Sequence, residues 1–281
     1  MNELGGILVI AHLTLHEARR RFIVLAALVF GTAFLAVFAT GLFFVRRDFI
    51  ASGSASLLQQ QATFGFLTVA GLYAANSLAV MLAVLLPVDT LSGEIASGVI
   101  ETLASKPVRR SDIVLGKWVA YWSLTAAYLV LIAGGVVVSA RAIAGYVQPN
   151  IDRALPLMLL EATVLLTVSI AGGTHLSTVT NGIVAFGFYG LAFIGGWVEQ
   201  IGALVGNQAA RNIGIVVSLI SPTDALWRLG AYHLQPAIVR DLQMTPFASA
   251  SVPNLAMVLW AAAFTAITLT AALRAFERRT L

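Results

Sequence analysis

Phe22 to Val45 is a run of 24 residues with no charged side chain, and it limits what the rest of the chain can be. At 1.5 Å per residue a helix of that length reaches ~36 Å, enough to cross a hydrocarbon core of ~30 Å with some tilt. Similar uncharged runs recur at Ala62–Val88 and at Trp118–Ala140, the latter between Lys117 and Arg141. Ala162–Val198 is longer still, with 37 residues and no formal charge. Lipid offers the backbone no hydrogen bonds, so only helices or a closed barrel can span it. A barrel would show alternating segments of ~10 residues. These runs are continuous, so the chain is read as an all-α membrane protein. Its composition, 59% hydrophobic and 11% charged, is far from the ~25% charge of a soluble domain. The first run follows Arg19-Arg20-Arg21 and is too long for the apolar region of a signal peptide, so it is expected to stay in place.

The 37-residue run is too long for one crossing. Its middle, Gly172 to Gly182, is polar and glycine-rich, which is turn chemistry. The expected spans lie near 22–45, 62–88, 113–140, 155–171, 183–204 and 253–273, with Pro253 in the first turn of the last. Charge supports that number. The basic clusters are Arg19-Arg20-Arg21, Lys106/Arg109/Arg110/Lys117 and Arg274/Arg278/Arg279. The positive-inside rule puts all three in the cytoplasm. Two spans separate the first pair of clusters and four the second, so six spans satisfy every cluster and leave both termini cytoplasmic. Arg46, Arg47, Arg141, Arg153, Arg211, Arg228 and Arg240 then fall on the outer side, against the rule. The net charge of +4 is read as topology-setting arginine rather than as a nucleic-acid surface.

Three segments lie outside the spans of this single permease domain, 1–281. Residues 3–20 carry apolar side chains at helical spacing, as in a helix lying in the cytoplasmic interface. Residues 205–252 form a long outer segment in which Ile213–Ile220 is apolar but too short to cross, hence re-entrant or interfacial. Residues 89–117 hold the cytoplasmic loop, with coupling residues in 89–112.

Some chemistries lack the residues they need. There is no cysteine, so thiol and disulfide chemistry is excluded. No P-loop is present, because Gly116-Lys117-Trp118 lacks the hydroxyl that would hold Mg²⁺. No catalytic constellation and no metal-ligand spacing appear, so no catalytic residue, metal or cofactor is assigned to this chain. Glu161 is the one formal charge well inside an expected span, and such groups are pathway candidates. It sits about six residues from the outer boundary, ~9 Å along a helix, so snorkelling or pairing with Arg153 or Arg141 is the plainer expectation. Gly202 and Gly206 form a GxxxG pair, a candidate dimer face because small residues let helices approach.

The loop is the informative stretch. Ile95, Val99 and Leu103 recur every fourth residue, which gives a short helix one apolar stripe. Glu94 and Glu101 flank it, Pro107 ends it, and Ser111-Asp112 offers a cap for the third span. A mixed-charge helix with an apolar stripe suits docking to a soluble partner better than lying on lipid, since lipid-binding helices are usually basic. Through Glu94, Gly98, Leu103, Ser105, Pro107, Val108, Arg110, Gly116 and Lys117 the loop resembles the ABC type-2 permease family. Ser221-Pro222-Thr223-Asp224-Ala225-Leu226-Trp227-Arg228-Leu229 is similar to the subgroup of multi-copper enzyme maturation permeases, which includes the membrane subunit of the nitrous-oxide-reductase maturation transporter.

That resemblance implies a homodimeric permease in a bacterial or archaeal cell membrane, seated on two copies of a separate ABC ATPase that holds the ATP and Mg²⁺. Glu94, Ile95, Gly98, Val99, Glu101, Leu103, Pro107 and Arg110 would form the coupling helix. Export of a substrate, or its delivery beyond the membrane, would follow. Two alternatives share parts of this pattern. A mechanotransmitting permease would drive an extracytoplasmic accessory protein through the same coupling helix. An ion-coupled secondary transporter would need paired intramembrane charges and broken helices.

Overall fold

The computed structural model describes residues 3–53, 56–96, 109–235 and 251–278. These form ten helices and no strand. Helix α1 covers Glu3–Ala18, α2 Phe22–Ser52, α3 Leu57–Leu85 and α4 Thr90–Ala96. Helix α5 covers Arg110–Ala144, α6 Ile151–Gly173 and α7 Thr178–Leu204. Helix α8 covers Gln208–Ile220, α9 Thr223–Leu234 and α10 Leu255–Glu277. Six are long and apolar enough to cross a membrane: α2, α3, α5, α6, α7 and α10.

The helix ends follow side-chain chemistry. Ser56 Oγ accepts from Gln59 N at 3.2 Å at the start of α3. Asn207 Oδ1 accepts from Ala210 N at 3.1 Å before α8. Asn254 Oδ1 accepts from Met257 N at 3.2 Å before α10. Each bond satisfies an amide that the helix itself leaves unpaired. Asn254 therefore starts the last span and Pro253 stays outside it, contrary to the sequence expectation. Ser177 likewise caps α7, so Thr178 to Gly182 is helical and only 174–177 turn. Asp112 caps nothing. Arg109 occupies the cap of α5 without a side-chain bond, and Asp112 is buried against α1, where a Cβ on Gly6 would lie 2.7 Å from its Oδ2.

Helices α3, α5 and α6 make the core, through Leu72, Leu129, Ile132, Met158, Ala162 and Leu166 among others. Within lipid there is no hydrophobic drive to pair helices, so close backbone approach must supply the contact. Ala75, Ala79, Ala83 and Ala133 provide it, each fully or almost fully buried. Helix α2 is the most peripheral. It is tied to the core by Tyr128 Oη, which donates to Ala27 O at 2.9 Å.

Both described chain ends lie at one end of the bundle, called the base below. Arg110 Nη1 donates to Glu277 O at 3.3 Å, and α1 lies over the start of α5. There a Cβ on Gly116 would come within 2.9 Å of Ile7 O. At the opposite end, Gln148 Nε2 donates to Leu234 O at 2.5 Å and Asn150 Nδ2 to His233 O at 3.0 Å.

Helices α8 and α9 form a hairpin that dips back between the spans. Helix α8 lies along α7 and α9 along α6. Ser221 Oγ, at the tip, donates to Phe188 O in the middle of α7 at 3.1 Å.

Candidate functional site

At the base, the second span does not stop where its apolar run stops. Leu86 N donates to Leu82 O at 2.9 Å, Thr90 N to Pro87 O at 3.0 Å and Gly93 N to Asp89 O at 2.8 Å. Pro87 removes one donor from this ladder, so α4 continues α3 with a single irregular turn. Hydroxyl and amide groups then fix α4 to its neighbours. Thr90 Oγ1 and Tyr121 Oη of α5 are 2.7 Å apart. Thr178 Oγ1 of α7 donates to Asp89 Oδ1 at 2.8 Å, and Ser92 Oγ lies 2.9 Å from the same hydroxyl. Asn181 Nδ2 donates to Val88 O at 3.2 Å and to Ser169 O of α6 at 2.8 Å. Finally, Lys117 Nζ of α5 donates to Glu94 Oε1, with the lysine buried. Breaking such a buried pair leaves an unpaired charge at a cost of about 3–5 kcal/mol.

Glu94 and Arg110 of the expected coupling set therefore meet this chain's own groups, Lys117 and the Glu277 carbonyl. The backbone of Ile95 is the penultimate residue of α4. Gly98, Val99, Glu101, Leu103 and Pro107 lie outside the described residues. Gly116 and Lys117 have separate tasks, the first admitting α1 and the second pairing with Glu94.

A second polar cluster sits where the hairpin meets α7. Arg228 Nη2 donates to Glu199 Oε2 at 2.8 Å, and Arg228 Nε lies 2.8 Å from Asp224 Oδ2 one helical turn earlier. Ser251 Oγ donates to Glu199 Oε1 at 2.5 Å, which draws in the residues preceding α10. Glycines make the space. A Cβ on Gly196 would fall 1.7 Å from Asp224 Oδ2, and one on Gly214 would fall 2.3 Å from the Cβ of Glu199. Burial pushes the Asp224 carboxyl up to about 6. Arg228 opposes that shift and Glu199 adds to it. The adjacent guanidinium does not cancel it because desolvation is the larger effect.

Sequence reasoning missed this cluster. Arg228 looked like an outer-side charge at odds with the positive-inside rule, yet it is buried in an ion pair and faces no water. Pro222 holds the cap position of α9, and Asp224 pairs with Arg228. The readable signal was Asp224 and Arg228 at i, i+4 spacing with one acid, Glu199, in a neighbouring apolar run.

Glu161 does not snorkel. It is 1% exposed and faces α3, where Asn76 Nδ2 donates to its Oε2 at 2.9 Å. No ion pair joins it to Arg153 or Arg141 among the described residues. Asn76 Oδ1 is buried with no partner there. Gly202 and Gly206 are also placed otherwise than a dimer face requires. A Cβ on Gly202 would lie 2.7 Å from Arg211 N, so α8 of the same chain covers it. Gly206 takes φ 70° in the turn between α7 and α8, which favours glycine. No group of three metal-ligating side chains occurs among the described residues.

No curated protein matches the chain. The family model for the ABC-2 family transporter protein matches residues 9–281. With six spans, a polar base beneath the second and a match over nearly all its length, the chain belongs to the ABC-2 transporter family, as a membrane permease subunit of an ABC transporter.

Proposed function

We propose that the base is where a separate ABC ATPase drives this permease, with α4 as the lever and the segment after it as the docking element. The observation that carries this reading is the fixing of α4 to α5 and α7 through Lys117, Tyr121 and Thr178. A push on α4 cannot move α3 alone, because the same bonds pull two further spans. The stripe Ile95/Val99/Leu103 would face the ATPase, and Glu94 would hold the lever rather than the partner. Both termini are then cytoplasmic, the assembly is a homodimer on two ATPases, and the output emerges at the far end. Helix α7 supports a route for it. Thr178 lies at its base and Glu199 near its other end, 21 residues and about 30 Å apart at helical rise. The likeness of Ser221–Leu229 to multi-copper enzyme maturation permeases supports export, or delivery to an extracytoplasmic partner, as that output.

Permease-stimulated ATP hydrolysis in the reconstituted complex tests the lever. Lys117→Met should keep the ATPase bound while stimulation falls about tenfold or more, as expected for loss of a buried pair. The exchanged pair Glu94→Lys with Lys117→Glu should restore part of it. Full stimulation in Lys117→Met would remove α4 from the coupling path.

A further inference from the structure

We propose that the cleft between α7 and α10 at the base binds the headgroup of an anionic phospholipid, with an acyl chain running up between the two helices. The helices meet midway, where the Phe188 and Phe264 rings stack with centroids 5.7 Å apart. Toward the base they part. Val184 is one turn below Phe188 on the same face of α7 and is 46% exposed. Ile267 is one turn below Phe264 on the same face of α10 and is 61% exposed. Both would be covered if the helices stayed in contact. At the base end of α10 an open cavity of about 510 Å³ is lined by Ala271, Arg274, Ala275 and Arg278, and by His175 in the turn that leads into α7.

The order of side chains on α10 matches a phospholipid. Phe264, Ile267, Ala271, Arg274, Ala275 and Arg278 share one face at three- and four-residue spacing. From the middle of the span to its end, that face changes from aromatic to aliphatic, then to small, then to cationic. The alanines leave room beside the two guanidiniums. Among the described residues no acidic side chain lines the cavity, and neither Arg274 nor Arg278 forms an ion pair. Two unneutralised guanidiniums at the boundary of an apolar cleft suit a phosphodiester whose tail enters lipid depth. A soluble anion would use the charges but not the cleft.

Native mass spectrometry of the delipidated full-length permease tests this with three probes: dioleoyl-phosphatidylglycerol, dioleoyl-phosphatidylcholine and inorganic phosphate. Phosphatidylglycerol should bind in preference to phosphatidylcholine. Arg274→Gln with Arg278→Gln should weaken it about tenfold or more. The paired lysine variant should keep most of the preference, and Arg46→Gln with Arg47→Gln at the opposite end should keep all of it. Ala271→Trp should weaken binding with both charges intact, because it fills the wall beside the headgroup. The proposal is overturned if phosphatidylcholine binds equally well, if millimolar phosphate displaces the lipid, or if the glutamine pair binds like the parent.

Discussion

Arg228 shows how a single residue can mislead and then explain. By sequence it is an outer-side arginine. In the fold it joins Glu199 on α7 to Asp224 on α9, with Ser251 closing the group. Three ionisable groups with one positive charge leave a net negative cluster in a dry site, so proton uptake by Asp224 relieves it. Its carboxyl is raised from 3.8 to about 6 by burial. A raised carboxyl binds its proton more tightly when folded, so the stabilisation is complete below the unfolded value and fades as pH rises through the folded one. From this group, stability should fall between about pH 4 and pH 6. Asp224→Asn should flatten that slope in thermal unfolding of the detergent-solubilised protein and should be tolerated at neutral pH. An unchanged slope would show that Asp224 stays charged when folded. Of these residues only the i, i+4 pair was legible in advance, because no local pattern tells which way a glutamate in an apolar helix faces. Glu161 makes the same point, since its partner Asn76 lies 85 positions away.

At the scale of elements, uncharged runs and turn chemistry led to the same number of candidate spans, six, because lipid leaves the backbone few choices. Their ends were less legible, since a cap is decided by a single side chain, as at Asn254 and Ser177. The hairpin was legible only as an apolar stretch too short to cross. What the sequence hid was the surface it uses. Gly195 and Gly202 lie on the face of α7 that receives α8, where added Cβ atoms would meet Val217 Cγ1 at 2.3 Å and Arg211 N at 2.7 Å. A side chain can rotate away, but backbone cannot. Gly202→Leu should therefore lift α8 and cost about 1–3 kcal/mol, as overpacking does. The Cys-free chain makes this readable. Ser218→Cys, on the buried face of α8, should resist a thiol reagent in the parent background and react when Gly202→Leu is added. If the glycine pair were instead a dimer face, the variant would change oligomeric state and leave position 218 protected.

On the scale of the whole molecule, one rod joins the two polar clusters. Helix α7 carries Thr178 and Asn181 in the base network and Glu199 in the hairpin cluster. Contacts between those ends, such as Ser221 on the Phe188 carbonyl and Asn76 on Glu161, tie neighbouring helices side to side, whereas a continuous helix transmits axial displacement through its own hydrogen bonds. Breaking the rod should separate the two activities that coupling normally ties together. Ile194 is suited to this because it lies between the clusters and is largely exposed, so a change there removes little packing. Ile194→Pro deletes one backbone bond and crowds the preceding turn, at about 3 kcal/mol or more. The base network should survive, so the ATPase should still bind and its hydrolysis should still be stimulated. On the lever proposed above, the output at the far end should fall, because a displacement of Thr178 no longer reaches Glu199. Ile194→Ala reports the packing loss alone and should leave both activities close to the parent. Should the proline variant lose stimulation and output together, α7 would belong to the base machinery. Should it keep both, the spans α3 and α5 would carry the motion without it.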